Sequence, residues 1–160
     1  MENKEKYALV TGASSGIGKE LAKLFAGDKY NLIIIARHQD ELESTAEEFR
    51  EAYGVTVQTI AKDLSKRESP FEIYDEVKRL GLHVDVLVNN AGQGAYWEFK
   101  DIDINRELDI VQLNIGSYIA LTSCFLQDML QNQSGKILNV GSIAGEAPGP
   151  PQSVYHGAKA

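Results

Sequence analysis

Three glycines near the start of the chain have the spacing of a phosphate-binding loop. The run Thr11-Gly12-Ala13-Ser14-Ser15-Gly16-Ile17-Gly18 has the pattern G-x-x-x-G-x-G, which differs from the commoner dinucleotide fingerprint G-x-G-x-x-G. Glycine permits positive φ angles and lets a backbone approach a pyrophosphate closely, and a helix that begins at Gly16 offers free N–H groups to an anion. Glycines also serve any tight turn from a strand into a helix, so the triplet alone leaves both interpretations open.

The residues after the second apolar run indicate which nucleotide such a loop would hold. That run ends in Arg37 and His38, and the first carboxylate after it is Asp40. In nucleotide-binding folds a carboxylate about 20 positions past the glycines binds the ribose of NAD, whereas an arginine accommodates the 2′-phosphate of NADP. Arg37 therefore favours a phosphate, with a solvated loop arginine as the alternative. Asp63, after the third run, could accept from an adenine amino group or could cap a following turn.

Apolar runs alternate with segments of helical period along the whole chain. Short apolar runs predict buried strands at residues 8–10, 32–36, 55–61, 84–88 and 137–140. Between them, side chains at helical spacing predict amphipathic helices, marked by Ile17, Leu21, Leu24 and Phe25; by Leu42, Ala46, Phe49 and Tyr53; by Phe71, Tyr74, Val77 and Leu80; and by Ile104, Leu108, Val111, Ile115, Ile119 and Leu126. This alternation is typical of βαβ units. The sequence therefore predicts a single α/β domain over residues 1–160 with a doubly wound parallel sheet.

Short motifs stand at the predicted strand ends and on the predicted helices. In chain order they are the glycine run, Asp63-Leu64, Asn89-Asn90-Ala91-Gly92, Asn114, Ser142 and Tyr155-x-x-x-Lys159. This set resembles the short-chain dehydrogenase/reductase family, and the resemblance covers the whole chain. It implies a Rossmann-type sheet with strand order 3-2-1-4-5. It also implies an NADP(H)-dependent oxidoreductase that interconverts a carbonyl and a secondary alcohol by hydride transfer.

The resemblance assigns the catalytic chemistry to four side chains. It makes Tyr155 the general acid/base, and Lys159 shares a helix face with it because the two are four residues apart. A phenol with its ordinary pKa of about 10 is a poor catalyst at neutral pH, and a nearby ammonium lowers that value. By the same resemblance Ser142 polarises the substrate oxygen. Asn114 would anchor a water that relays protons to Lys159, or else it is a packing asparagine bonded to the backbone.

The resemblance also predicts which residues hold the cofactor, which is NADP(H) with NAD less favoured. Lys159 would hold the nicotinamide ribose hydroxyls. No cluster of His, Cys or carboxylate side chains has metal-ligand spacing, so no metal is expected. The predicted cofactor-binding residues are Thr11, Gly12, Ser14, Ser15, Gly16, Ile17, Gly18, Arg37, Asp63, Leu64, Asn90, Ala91, Gly92, Tyr155 and Lys159.

Composition narrows the expected partners. Sixteen Lys and Arg against 23 Asp and Glu give a net charge of -7, which argues against nucleic acid. The single cysteine, Cys124, excludes an internal disulfide. Residues 1–6 are charged and predict no secretory signal, and no apolar run approaches the roughly 18–20 residues of a membrane helix. We therefore expect a soluble cytoplasmic protein that acts on a small carbonyl or alcohol, without nucleic acid or membrane partners.

The sequence ends one residue after Lys159, whereas family members usually continue with two further strands and a segment that closes over the substrate. We therefore expect a chain truncated after the Tyr-x-x-x-Lys motif, whose full-length form is a homo-oligomer. Two functional interpretations stay open. One is the oxidoreductase, and the other is a non-catalytic NADP-binding fragment or interaction module that lacks the substrate region. Tyr96 and Trp97 are compatible either with an apolar substrate wall or with simple packing.

Overall fold

The computed structural model describes residues 5–160, which form a parallel sheet with helices on both faces. The first four residues, part of the charged start for which no secretory signal is predicted, lie outside the described residues. The strands are β1 (Tyr7–Thr11), β2 (Asn31–Ala36), β3 (Val57–Ala61), β4 (Val84–Asn89) and β5 (Lys136–Asn139). All strand pairs are parallel, and the strands are bonded in the order β3-β2-β1-β4-β5. This confirms the expected doubly wound sheet and strand order.

The helices follow the predicted alternation, with one difference in the long fourth helix. They are α1 (Gly16–Gly27), α2 (Gln39–Tyr53), α3 (Ser69–Arg79), α4 (Ile104–Val111), α5 (Ser117–Gln131) and α6 (Ser153–Lys159). The predicted fourth helix consists of α4 and α5, joined by a π-helical turn at Gln112–Gly116. Helix α2 ends where Gly54 takes a φ of 66°, and helix α3 begins at Ser69 with Pro70 in its first turn.

Two apolar clusters hold the helices on the sheet, one on each face. Because side chains alternate along a strand, neighbouring residues of β2 enter different clusters. Ile34 packs in a cluster with Phe49 of α2, whereas Ile33 packs in a cluster with Phe125 of α5. The four side chains are almost fully buried, Phe125 at 2% exposed and the other three at 0%. The central strands are therefore sandwiched, and their carboxyl ends are fixed relative to the helices on both sides.

The buried face of α1 differs from the predicted one. Ile17 is 65% exposed and Leu24 is 67% exposed, so the expectation that these side chains mark the core face was wrong. The helix instead buries Gly18, Ala22 and Ala26. Leu21 and Phe25 of the predicted stripe are partly buried against the core, so the expectation fails only for Ile17 and Leu24. The small residues let the helix backbone approach the sheet closely.

The apolar stripe of the long helix faces outward. The buried side of α5 carries Leu121 and Phe125. The residues of the predicted stripe are each at least one third exposed, namely Ile104, Leu108, Val111, Ile115, Ile119 and Leu126.

By length and composition alone, the run Ile104–Gln131 would suffice to cross a membrane. The expectation that no segment reaches that length was therefore wrong, although one side of this run packs on the sheet. The cytoplasmic location and the homo-oligomer stay predictions.

A pair of phenylalanine substitutions tests the described core. Phe49→Ala removes a ring that is 0% exposed, so we expect a loss of about 3–5 kcal/mol in the free energy of unfolding. Phe99→Ala is the matched control, because Phe99 is 60% exposed and its truncation should change stability by about 0.5 kcal/mol or less. Urea unfolding followed by circular dichroism measures both. Equal losses in the two variants would contradict the placement of α2 on the sheet.

Candidate functional site

The glycine loop is packed against the segment after β4 too closely for a side chain. A Cβ at Gly18 would overlap the Gly12 carbonyl oxygen and the side chain of Asn90. Gly12 itself takes a φ of 67°, and its N–H donates to the Ile35 carbonyl oxygen at 2.7 Å. The Asn90 amide donates to the carbonyl oxygen of Thr11 at 2.9 Å. The predicted turn from β1 into α1 therefore forms as a tight loop whose backbone is held from two sides.

Thr11 supports this loop from inside. Its buried hydroxyl donates to the Val88 carbonyl oxygen at 3.3 Å. The same oxygen accepts the backbone N–H groups of Asn90 and Ala91, each at 2.9 Å. Thr11 therefore ties the end of β1 to the end of β4 and is not part of the cleft lining.

A cleft of about 720 Å³ opens at the carboxyl ends of the strands. This is where open α/β sheets bind ligands. Thr11, Gly16, Gly18, Asn114 and Ser142 were predicted for the site but do not line the cleft. The predicted residues that do line it are Gly12, Ser14, Ser15, Ile17, Arg37, Asp63, Leu64, Asn90, Ala91, Gly92, Tyr155 and Lys159.

The β2–β3 end of the cleft carries an unpaired guanidinium. Arg37 is exposed and makes no ion pair with any residue from 5 to 160. Asp63 accepts the Ser65 backbone N–H at 3.0 Å, so it does cap a turn. Burial acts to raise the pKa of Asp63, but the hydrogen bonds from Ser65 and the charges of Lys66 and Arg37 outweigh burial and lower it.

Asn114 lies inside the π-helical turn, where the helical hydrogen bonds are interrupted. Its amide donates to the carbonyl oxygens of Ile110 at 2.9 Å and Gln93 at 2.7 Å. Its Oδ1 is buried and has no partner among the described residues, and a Cβ at Gly92 would lie 2.8 Å from it. The amide therefore packs on the backbone, as the alternative interpretation predicts, while Oδ1 stays available as an acceptor.

Tyr155 and Lys159 lie one turn apart on α6 and both line the cleft. The Lys159 ammonium donates to the Val140 carbonyl oxygen at 3.2 Å. Burial lowers the pKa of Lys159. A Cβ at Gly94 would lie 3.0 Å from Cγ of Tyr155, so the segment after β4 packs directly against the phenol ring. The predicted pair Tyr155 and Lys159 therefore lies together, at the end of the cleft farther from Arg37.

Ser142 caps a short turn and does not line the cleft. Its Oγ accepts the Ala144 backbone N–H at 3.1 Å, at the start of the 3-10 turn Ile143–Gly145. The preceding residue, Gly141, does line the cleft. Because this contact uses Ser142 only as an acceptor, its O–H remains free to donate.

His156 was given no role from the sequence, but it contacts the proline-rich loop at residues 148–151 and the residue before it. Its Nδ1 lies 2.6 Å from the Ala147 carbonyl oxygen. Since a carbonyl can only accept, Nδ1 carries the hydrogen. A Cβ at Gly149 would overlap the imidazole ring of His156. The backbone N–H of Trp97 donates to the Pro151 carbonyl oxygen at 2.9 Å. Trp97 is 67% exposed, so its side chain does not pack in the core formed by residues 5–160.

Sequence reasoning also missed several cleft residues. Glu41 lines the same end of the cleft as Arg37 and directly follows Asp40, the first carboxylate after β2. Arg106 and Ile110 line the cleft from α4. They precede Asn114 by eight and four residues, so helical spacing could have found them. No group of side chains among residues 5–160 could hold a metal ion.

Two glycine-to-alanine substitutions test the close approach of the loop. Gly18→Ala forces the loop and α1 apart, so we expect a loss of about 1–3 kcal/mol in the free energy of unfolding. Gly157→Ala is the matched control within a helix, because nothing lies within 4 Å of its added Cβ. That variant should be neutral or gain up to about 1 kcal/mol. Urea unfolding measures both, and a stable Gly18→Ala protein would contradict the described contact.

The sequence of residues 6–160 matches the family described as short chain dehydrogenase. A very-long-chain 3-oxoacyl-CoA reductase of Coprinopsis cinerea is 37% identical over 98% of this chain and 47% of its own length. A bulky-bulky ketone specific alcohol dehydrogenase from Comamonas testosteroni superposes with a TM-score of 0.89 at 31% identity, covering 96% of this chain and 61% of that one. A short-chain dehydrogenase from Sphingobium yanoikuyae in complex with NADPH also gives 0.89, at 28% identity, covering 96% and 60%.

These matches agree with the fold and the strand order. The chain spans about half the length of the curated relatives it matches. The family match extends over almost all of the chain, from residue 6 to residue 160. The chain therefore belongs to the short chain dehydrogenase family.

Proposed function

We propose that the chain forms the nucleotide-binding and proton-transfer part of an oxidoreductase that uses NADP(H) to interconvert a carbonyl and a secondary alcohol. The observation that carries the proposal is that one cleft is lined by the glycine loop, by an unpaired Arg37 and by the Tyr155–Lys159 pair. Membership of the family and the NADPH bound by the Sphingobium relative support it.

The residues present fit a nicotinamide dinucleotide. Gly12, Ser14 and Ser15 of the loop line the cleft and lead directly into the N-terminus of α1, where an anion is favoured. The cleft volume of about 720 Å³ falls in the range of cofactor sites. The buried Oδ1 of Asn114 supplies an acceptor near Lys159, which supplies a cation. We therefore assign the pyrophosphate to the glycine loop and the nicotinamide end to Tyr155 and Lys159.

The preference for NADP(H) rests on Arg37. A guanidinium without a carboxylate partner can bind a phosphate in a bidentate manner. Glu41 lines the same end of the cleft and would repel a 2′-phosphate, so the balance between these two side chains decides the preference. Asp63 is held by Ser65 and fits a role at the adenine edge through its second oxygen.

The two residues of α6, Tyr155 and Lys159, carry the proton transfer to and from the substrate oxygen. When bound, the cofactor supplies a hydride to the carbonyl carbon or takes one from the alcohol carbon. In reduction the Tyr155 hydroxyl donates its proton to the carbonyl oxygen, and the nearby Lys159 ammonium stabilises the phenolate that remains. The free O–H of Ser142 donates to the same substrate oxygen. A water held by Asn114 Oδ1 would return a proton through Lys159.

An arginine substitution tests the nucleotide preference. In Arg37→Gln we expect NADPH affinity to fall about 10- to 100-fold, because a charged hydrogen bond to phosphate is lost, and NADH affinity to stay unchanged. Fluorescence titration of this chain with each nucleotide measures both. Glu41→Gln is the opposite control and should tighten NADPH binding. An equal loss for both nucleotides in Arg37→Gln would contradict the role of Arg37 as the phosphate-binding residue.

A tyrosine substitution separates the enzyme from the non-catalytic binding module. In a chain extended to the length of its relatives, Tyr155→Phe should reduce carbonyl turnover about 10²- to 10⁴-fold, the usual contribution of a general acid. NADPH affinity, read by the same titration, should change little because the phosphate contacts are elsewhere. If the extended chain with Tyr155 unchanged binds NADPH but reduces none of the ketones tested, the non-catalytic binding module is the better description.

A further inference from the structure

Tyr118 contacts the ammonium of Lys159, although no motif singles it out. It stands in the first turn of α5, four residues after Asn114. Its hydroxyl oxygen lies 3.5 Å from Nζ of Lys159, and the centre of its ring lies 5.1 Å from the same atom. The nitrogen is thus nearer to the hydroxyl than to the ring, and the hydroxyl is the principal contact.

The number of N–H donors on Lys159 determines what this contact does. An ammonium has three N–H donors. In Lys159 one donates to the Val140 carbonyl oxygen at 3.2 Å and a second donates to the Tyr118 hydroxyl. No carboxylate from residue 5 to residue 160 forms an ion pair with Lys159. Two neutral oxygens therefore set the orientation of the ammonium and leave one N–H for a ligand.

Tyr118 stays a neutral phenol in this position. Burial, together with the charge of Tyr155 when that phenol ionises, raises the pKa of Tyr118 to about 12. Its oxygen therefore accepts from the ammonium without competing for the proton that Tyr155 moves.

We propose that Tyr118 is a positioning residue that, with the Val140 carbonyl, fixes the Lys159 ammonium so that its third N–H is presented to the nicotinamide end of the cofactor. This inference rests on the proposed role of Lys159 in holding that end. It adds a residue of the long helix to the site, close to the π-helical turn that carries Asn114.

A double-mutant cycle tests the proposal. The variants are Tyr118→Phe, Lys159→Met and the two combined, each titrated with NADPH. We expect Tyr118→Phe to weaken binding about three- to tenfold, the usual effect of one hydrogen bond, and to have no further effect once Lys159 is gone. If the double variant loses NADPH affinity by the product of the two single losses, the two residues act independently and the proposal is overturned. Unchanged NADPH affinity in Tyr118→Phe beside a clear loss in Lys159→Met would overturn it as well.

A matched control and a second measurement keep the test independent of stability and of the proposed function. Tyr74→Phe removes a hydroxyl that bonds Asp128 outside the cleft and should leave NADPH binding unchanged. The mobility of the Lys159 ammonium, read by ¹⁵N relaxation and assigned with Lys159→Met, should rise in Tyr118→Phe. Unchanged mobility overturns the proposal whatever NADPH does. Raised mobility, with NADPH affinity insensitive to Lys159→Met, contradicts only the proposed function of Lys159.

Discussion

The tie between the ends of β1 and β4 is the constraint on which the rest of the site depends. Helices from these neighbouring strands leave to opposite faces of the sheet, so the two chain ends would separate and open a cleft of variable width. The buried Thr11 hydroxyl prevents this by bonding three backbone groups of the β4 end, and Asn90 bonds back to the glycine loop. With that distance fixed, Gly18 can pack on Gly12, and the start of α1 points at a defined place in the cleft.

The second determinant is a helix that interrupts its own hydrogen bonds. A π-helical turn adds a residue to the local repeat and rotates the helical segment after it relative to the segment before it, and such turns occur often at functional sites. Here the turn lies between α4 and α5, and it lets Asn114 and Tyr118 both face the cleft wall to which α6 contributes. Lys159 therefore meets the Tyr118 hydroxyl one turn beyond Asn114 on the same helix. A regular helix would place the same residues at a slightly different angle to the cleft.

Strands and turns, which depend on the residues within a short segment, could be predicted from the sequence. The buried face of a helix, which depends on how closely the helix approaches the sheet, could not. The strands and the glycine turn follow from apolar runs and from residues with unusual φ angles, and the strand order followed from the family motifs. The outward position of Ile17 did not follow, because helical periodicity shows which residues share a face and not which face is buried. Ser142 and Asp63 were named correctly as strand-end residues. Their hydrogen bonds to nearby backbone groups depend on turns of only a few residues.

The two ends of the cleft are determined by different kinds of contact, and this bears on how the site can change. The glycine loop is built from close backbone approach and from buried bonds, so substitutions at Gly18 or Thr11 disturb the fold, whereas the exposed Arg37 at the same end of the cleft can be replaced. The other end, beside Tyr155, depends on single bonds, such as that from His156 to Ala147, and on a backbone bond from Trp97, whose side chain is mostly exposed. Exposed side chains can be replaced at little expense in stability. Within this fold, the glycine loop is therefore fixed by the architecture, while exposed side chains such as Arg37 and Trp97 can be replaced without disturbing it.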